Sequence, residues 1–122
     1  MRKGLVAALV AATLVSGCAQ RLGDFTMISS KNVDLTRGAD FKRAPTRVKG
    51  EDMKAVILFI PVGIANMKEA LDVAIEKTPG AVALVDAVVM QKSFWFVIGG
   101  VGGYEVEGTP LIDPAVEKAY RK

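Results

Sequence analysis

The chain of 122 residues has no histidine and a single cysteine, Cys18. Without histidine it lacks the side chain that most often acts as a general base near neutral pH and as a metal ligand. One cysteine can form neither an intrachain disulfide nor a cysteine-rich zinc site. No pair of carboxylates has a spacing that indicates acid–base work. We therefore expect a non-enzymatic protein with no catalytic residue, no metal site and no cofactor.

The start of the chain has the pattern of an export signal. A basic segment, Met1 to Lys3, precedes an almost unbroken apolar run from Leu5 to Val15. That run has the length of a signal-peptide core and is shorter than the roughly 20 residues of a membrane span. The small residues before Cys18 resemble a bacterial lipobox, in which the cysteine is lipid-modified and becomes the first residue of the mature protein. The alternative is an ordinary signal peptide with a chance cysteine.

The lipobox interpretation makes Cys18 a membrane anchor. Cleavage between Gly17 and Cys18 would remove the signal peptide, residues 1–17, and acyl chains such as palmitate on Cys18 would then hold the protein at a membrane. Ala19 and Gln20 follow the cysteine, so the chain lacks the Asp that commonly retains lipoproteins of Gram-negative bacteria in the inner membrane. We expect the periplasmic face of the outer membrane, with the inner membrane as the less favoured location.

The charge of the remaining chain argues against nucleic acid as a partner. Residues 18–122 have 14 basic and 13 acidic side chains, a net charge near +1. A nucleic-acid-binding domain normally has a strong basic footprint. The length is that of one small domain. We expect a lipidated tether over 18–23 and a single α/β envelope domain over 24–122.

The middle of the chain predicts a strand, a helix and a second strand. The apolar run Ala55–Ile60 is typical of a strand buried on both faces. Helical spacing of apolar residues predicts an amphipathic helix over 67–77, opened by Asn66 and Glu69 in the form of a capping box. Ala81–Met90 is a second apolar run. Together they predict a βαβ unit.

The last third predicts a β-hairpin and a short helix. A strand over Ser93–Ile98, a flexible glycine-rich turn at Gly99–Gly103 and a returning strand over Tyr104–Gly108 form the hairpin. Asp113–Pro114 has the form of a helix start. With a first strand around Phe25, the expected fold is α+β: a small mixed β-sheet of four to five strands with one main helix, built from the βαβ unit plus the C-terminal β-hairpin.

The hairpin also has the densest group of aromatic residues, Phe94, Trp95 and Phe96, with Tyr104 on the returning strand. Aromatic side chains recur at interface hot spots. These four residues are the candidate interaction surface, for an envelope protein partner, a second copy of the chain or the membrane. The alternative is that they pack on both faces of the sheet. We expect at least one of the first three to be exposed, with Trp95 favoured.

Two charged features have alternative interpretations. The basic residues of segment 37–49 either contact lipid phosphates or an acidic partner, or belong to a solvated loop in which acids alternate with bases. Asp86 is the one charge within an apolar strand. We expect it at the sheet edge or hydrogen-bonded to backbone rather than in a catalytic role, because a lone buried carboxylate is costly.

Short segments along the chain resemble the TRL-like family of small bacterial lipoproteins. The resembling segments are Gly23–Val33, Val48–Asp52, Ile60–Pro61 with Gly63, the helix 67–77, Ala83–Asp86 and Val106–Thr109. This family has no assigned activity to carry over. We expect a membrane-anchored lipoprotein with a structural or interaction role, as an accessory subunit of an envelope assembly. The alternative is a periplasmic binding module for a small ligand or an envelope polymer, which would use the start of the helix and the aromatic hairpin.

Overall fold

A computed structural model describes residues 1–13 and 16–120 of the chain. Val15 of the lipobox-like sequence and the basic terminal pair Arg121 and Lys122 lie outside the described residues. In chain order the elements are α1 (Arg2–Thr13), β1 (Ser16–Ile28), a 3-10 turn (Leu35–Asp40), β2 (Lys42–Arg43), β3 (Val48–Ile57), β4 (Ile60–Pro61), α2 (Met67–Glu76), β5 (Ala81–Phe96), β6 (Gly99–Ile112) and α3 (Pro114–Tyr120). Among these residues, no helix has both the length and the apolar character needed to span a bilayer.

The described strands form one six-stranded sheet in the order β1-β5-β6-β3-β4, and β2 pairs with the end of β6. Every strand pairing in this part of the chain is antiparallel. The α+β class is therefore confirmed. The expected sheet is corrected, because it has six strands instead of four to five and its described pairings are not mixed.

The expected strand–helix–strand unit is β3–α2–β5, and in the sheet β6 lies between its two strands. Both β3 and β5 are antiparallel to β6, which lies between them, so β3 and β5 run in the same direction. Hydropathy predicts that two strands flank a helix, but it does not show that a later segment of the chain inserts between them.

The core lies where α2 covers the sheet. Ala70, Leu71, Ala74 and Ile75 of α2 are buried, as the helical spacing predicts, whereas Met67, the first residue of the predicted apolar stripe, is exposed. They form the core cluster with Ala81, Leu84, Ala87, Val89 and Val106. A Cβ at Gly50 would overlap backbone atoms of Ala70 and Ala74. Glycine at this position therefore lets the helix lie directly on β3.

The start of α2 is fixed by Asn66 and by a residue of β3. The Asn66 side chain accepts a hydrogen bond from the Lys68 N–H at 2.8 Å, as an N-cap should. The Asn66 N–H donates to the Asp52 carboxylate at 2.7 Å, the bond that a capping box would assign to Glu69. The Lys54 ammonium and this N–H hold the pKa of Asp52 below its usual value. The entrance of the helix is thus tied to the sheet.

The apolar run 55–60 is not a buried strand, which corrects the prediction. β3 ends at Ile57, Leu58 and Phe59 form a turn, and the chain returns at Ile60. All four side chains from Ile57 to Ile60 are more than half exposed. The reason is length, since a helix of 10 residues is about 15 Å long and covers only part of β3.

The glycine-rich turn is also corrected. The hairpin turn lies at Val97 and Ile98, and Gly99–Gly103 is inside β6. A Cβ at Gly99 would overlap the carbonyl oxygen of Val56, and one at Gly103 that of Asp52. Glycine at these positions therefore leaves room for the backbone of β3.

Two segments expected to lack regular structure contain strands. Residues 18–23, expected as a tether, belong to β1 and pair with the second half of β5. The segment 37–49, for which a solvated loop was one interpretation, holds β2 and the first two residues of β3. Polar alternation on the exposed face of a sheet has weak hydropathy signals, which is why the sequence favoured a loop there.

Candidate functional site

Two hairpin ends lie side by side at one end of the sheet. They are Ile57–Ile60 between β3 and β4, and Phe94–Ile98 between β5 and β6. Ile57 is in register with Gly99, and the Leu58 N–H donates to the Ile98 carbonyl oxygen at 2.7 Å. The nine side chains are between 41% and 78% exposed. We call these nine residues the apolar tip.

The prediction that at least one of the three neighbouring aromatic side chains is exposed is confirmed. Phe94, Trp95 and Phe96 are each more than 40% exposed, and the rings of Phe94 and Phe96 are 6.3 Å apart. Tyr104 differs, because it is partly buried and packs against the core cluster. Of the four expected interaction residues, the structure therefore places three in the apolar tip and one beside the core.

The apolar tip extends beyond the last charged side chains of the sheet. No charged residue occurs between Lys54 and Lys68 or between Lys92 and Glu105. Lys54 pairs in register with Gly102, and Lys92 with Gly103, so the two lysines end the charged part at nearly one level. Phe96 lies four residues beyond Lys92, or about 14 Å along a strand. Contiguous apolar surfaces of this kind mark contact sites.

Cys18 lies at the same end of the sheet. It is exposed and pairs in register with Ser93 on the edge strand β1, while Gly17 pairs with Phe94. Side chains alternate between the faces of a strand, so Cys18, Ser93 and Trp95 share one face. Diagonal neighbours of this kind are about 7–8 Å apart. The residue expected to be lipidated is thus next to the apolar tip.

The β3–β4 turn carries bulky side chains in an unfavourable backbone conformation. Leu58 and Phe59 have φ of 51° and 64°, the left-handed values of a two-residue turn that favours Asn-Gly. Non-glycine residues without a short polar side chain rarely adopt such values. The turn keeps apolar side chains where other residues would fit the backbone better, which indicates a use for their apolar surface.

A second cluster, on the sheet face away from α2, joins two carboxylates and two lysines. Glu51 and Glu105 are directly opposite in register. Glu105 is buried and forms ion pairs with Lys92 and, at 3.4 Å, with Lys49. Glu51 and Glu105 are 54 positions apart in the sequence, so only the strand register brings the two acids together. This is why the sequence predicted no carboxylate pair.

The two carboxyl groups of this cluster have pKa shifts in opposite directions. The hydrogen bond with Glu105, burial and the charge of Glu105 raise the pKa of Glu51. Burial also raises the pKa of Glu105, but the hydrogen bonds with Glu51 and Lys92 outweigh it and leave that pKa below its ordinary value. The cluster is thus a network of two carboxylates and two lysines that crosses β3, β6 and β5.

Four of the five basic residues of segment 37–49 are paired with acids of the same chain. Arg37 contacts Asp34 and Asp113, Arg43 contacts Asp86, Arg47 contacts Glu107, and Lys49 contacts Glu105. Paired charges on an exposed surface contribute little to binding distant anions. The pairing favours the interpretation of a solvated segment over that of a phosphate-binding patch.

Asp86 is exposed and not part of a buried site. It lies in a bulge of β5 between Val85 and Val88, with a φ of 49°. The Arg43 guanidinium donates to its carboxylate at 3.1 Å. The bulge rotates this one residue out of the alternation, so an acid within an apolar sequence reaches water.

Asp113 is the most buried acid, and it joins three elements at the far end of the sheet. Its carboxylate accepts hydrogen bonds from Arg37 Nη2 at 2.6 Å and from the Ala115 N–H at 3.0 Å. Its own N–H donates to the Gly80 carbonyl oxygen. The Arg37 guanidinium holds the pKa of Asp113 below its usual value, against the effect of burial. The helix start predicted at Asp113–Pro114 is confirmed as α3.

Within residues 1–13 and 16–120, no three His, Cys, Asp or Glu side chains are placed to hold a metal ion. Comparisons with protein-family models, with curated proteins and with solved structures give no match to the chain. Resemblance to the TRL-like family stays a prediction that rests on the segments quoted above.

Proposed function

We propose that the chain is the precursor of a membrane-anchored bacterial lipoprotein with a non-enzymatic structural or interaction role in the cell envelope. The observation that carries the proposal is the position of Cys18. It follows a signal-like apolar run, it is exposed on an edge strand, and it lies beside an exposed apolar surface.

The helix before Cys18 is dispensable to the packed domain. All described side chains of residues 1–12 are exposed, including those of Leu5, Val6 and Leu9. The core cluster lies entirely between Ala70 and Val106. Cleavage after Gly17 would thus remove no core residue, and α2 would be the one main helix of the mature domain.

The first step of lipidation consumes the Cys18 thiol and a phospholipid. The sulfur takes the diacylglyceryl group of the lipid and forms a thioether, and the phosphorylated headgroup leaves with the thiol proton. Water then cleaves the Gly17–Cys18 peptide bond, and the new amino group accepts a further acyl chain from a second lipid. Several acyl chains anchor a protein far more firmly than one.

The role at the membrane is that of an accessory subunit of an envelope assembly, on the periplasmic face of the outer membrane. Support comes from Ala19 and Gln20, which replace the Asp expected for inner-membrane retention. Cross-linking of the acylated protein in cells, followed by capture, is expected to yield one defined envelope partner or the homo-oligomer, and recovery in the inner-membrane fraction would contradict the location.

The lipoprotein proposal is tested by mass spectrometry of the amino-terminal peptide. The full chain is expressed in a Gram-negative host with labelled palmitate. The expected peptide begins at Cys18 and carries the diacylglyceryl and acyl groups. Cys18→Ala should abolish labelling, whereas the control Ala19→Ser should retain it. Unmodified Cys18, or labelling that persists in Cys18→Ala, would overturn the proposal.

A further inference from the structure

We infer that the apolar tip inserts into the surface of a lipid bilayer beside the acyl chains of Cys18, so that the domain stands on the membrane with the charged part of the sheet in water. The inference rests on the proposed lipidation. It goes beyond that proposal, because an acylated cysteine by itself leaves the orientation of the domain open.

The first argument is proximity. Cys18 pairs with Ser93, which directly precedes the Phe94–Ile98 half of the apolar tip. An acyl chain attached to Sγ and dissolved in lipid brings the bilayer surface to the level of Ser93. The tip then meets lipid as an intramolecular event, for which the effective concentration is high. No other partner is brought to this surface by the chain itself.

The second argument is depth. Lys54 and Lys92 mark the level at which charged side chains stop, and the tip extends about 10–14 Å beyond them along the strands. Amphipathic elements at a membrane surface bury their apolar face about 5–10 Å into the headgroup and acyl boundary. The tip is long enough to reach that boundary while both lysines stay at the headgroups.

The third argument is composition. The tip contains Trp95, three phenylalanines and five aliphatic residues, with no charged or polar side chain. Tryptophan is enriched at membrane interfaces because its ring is both apolar and able to donate a hydrogen bond. The nearby lysines are paired with Asp52 and Glu105, so the attraction is apolar rather than electrostatic. We therefore expect little dependence on salt.

Trp95 is the only tryptophan of the chain and serves as a built-in probe of the tip. The acylated protein, purified from membranes in detergent, is reconstituted into phosphatidylcholine vesicles. Its fluorescence is measured with phosphatidylcholines brominated at different depths and with acrylamide in the water phase. We expect strong quenching of Trp95 by lipids brominated near the headgroup and only weak quenching by acrylamide.

Two outcomes overturn the insertion while leaving the anchor intact. One is a Trp95 that acrylamide quenches fully although the protein floats with the vesicles. The other is a Trp95 shielded from acrylamide but not quenched by any brominated lipid, which indicates that a second copy or another protein covers the tip. Failure of the proposed function is separate, because the mass spectrum of the same sample then shows an unmodified Cys18.

A variant pair tests the contribution of the tip. Replacing Leu58 by Asn and Phe59 by Gly keeps the turn conformation and removes two apolar side chains. We expect shallower quenching by brominated lipids and several-fold recovery of acrylamide quenching. The control Leu35→Asn removes an equally exposed apolar side chain, 66% exposed, at the opposite end of the sheet, and should change neither signal. Equal effects of the two variants would overturn the inference.

Discussion

The two halves of strand β5 have similar hydropathy and opposite surroundings. From Ala81 to Val85 every residue is buried in or next to the core cluster, whereas Phe94, Trp95 and Phe96 are exposed in the apolar tip. The core cluster joins Ala81 and Leu84 of β5 to the four buried residues of α2, and Phe94–Phe96 lie outside it. A strand of 16 residues extends about 50 Å, more than three times the length of that helix. Apolar sequence thus serves folding in one half and remains available for contact in the other.

Leu71→Ala in the core cluster should give the largest loss of stability. Leu71 is 3% exposed, and truncating such a side chain costs about 2–5 kcal/mol of unfolding free energy. Val73→Ala on the exposed side of the same helix should change it by no more than about 0.5 kcal/mol. Urea denaturation of the full chain in detergent, followed by circular dichroism, measures both. Equal losses would mean that the covered and uncovered faces of α2 are misassigned.

Gly103→Ala should cost about 1–3 kcal/mol, as overpacking does, because the added Cβ would overlap the Asp52 carbonyl oxygen. Gly102→Ala is the matched control in the next position. Its Cβ would lie 3.7 Å from the Lys92 carbonyl oxygen, an ordinary contact, so stability should be unchanged or slightly higher. The same urea denaturation measures the stability of both variants. Equal stability would contradict the close packing of Gly103 against β3 and would favour the flexible turn that the sequence predicted.

The far end of the sheet should show its charge pairing as sensitivity to acid. The pKa of Asp113 is lowered below its ordinary value of 3.8. A carboxyl group with a lowered pKa stabilises the fold above its unfolded pKa and loses this contribution as pH falls through the folded pKa. Asp113→Asn should therefore be less stable at neutral pH, and its difference from the unmodified protein should shrink below pH 3.8.

Urea midpoints of both proteins, taken from neutral to acid pH, measure this difference. Asp40→Asn removes an exposed carboxylate at the end of the same 3-10 turn and should have little effect at neutral pH. A difference for Asp113→Asn that stays constant down to the lowest pH would contradict the assignment.

The smallest effect is expected at the apolar tip, with the opposite sign. Asn and Gly at positions 58 and 59 fit the left-handed backbone better than Leu and Phe, so the double variant should gain on the order of 1 kcal/mol in detergent. The same variant is expected to insert less deeply into lipid. A destabilised variant would show that these side chains pack against the domain, and the contrast between the two ends of the sheet would be lost.

Local sequence patterns predicted α2 and α3 well, whereas burial and contacts that depend on distant segments of the chain were not predicted. Helical spacing predicted the four buried residues of α2, and the Asp113–Pro114 pair predicted α3, because both signals lie within one or two turns. The exposure of Ile57–Ile60 depends on where a helix ends above the sheet, and the Glu51–Glu105 pair depends on strand register. A short segment of sequence determines neither the point at which a packed helix ends above the sheet nor the register of two strands.

For Gly99–Gly103 the local preference was outweighed by packing. Glycine favours turns because it tolerates positive φ, yet these glycines lie in extended backbone and are required by the closeness of β3. Of the site, the sequence predicted Cys18 and the exposed aromatic residues, but neither the Ile57–Ile60 half of the apolar tip nor the arrangement of these parts. Their adjacency arises from the pairing of β1 with β5, which joins residues more than seventy positions apart.

Cys18 is itself part of the sheet and is not separated from it by a flexible linker, which has a mechanical consequence. Residues 18–23 are held in β1 by pairing with β5, so lipid attached to Cys18 would be attached directly to the rigid sheet instead of to a flexible linker. Ten residues of β6 separate Gly102, at the lysine level, from Ile112, or about 34 Å. With lipid on Cys18, the domain would act as a spacer of fixed height. Whatever contacts the Asp113 end would be held at about that distance from the bilayer, instead of moving freely on a flexible linker.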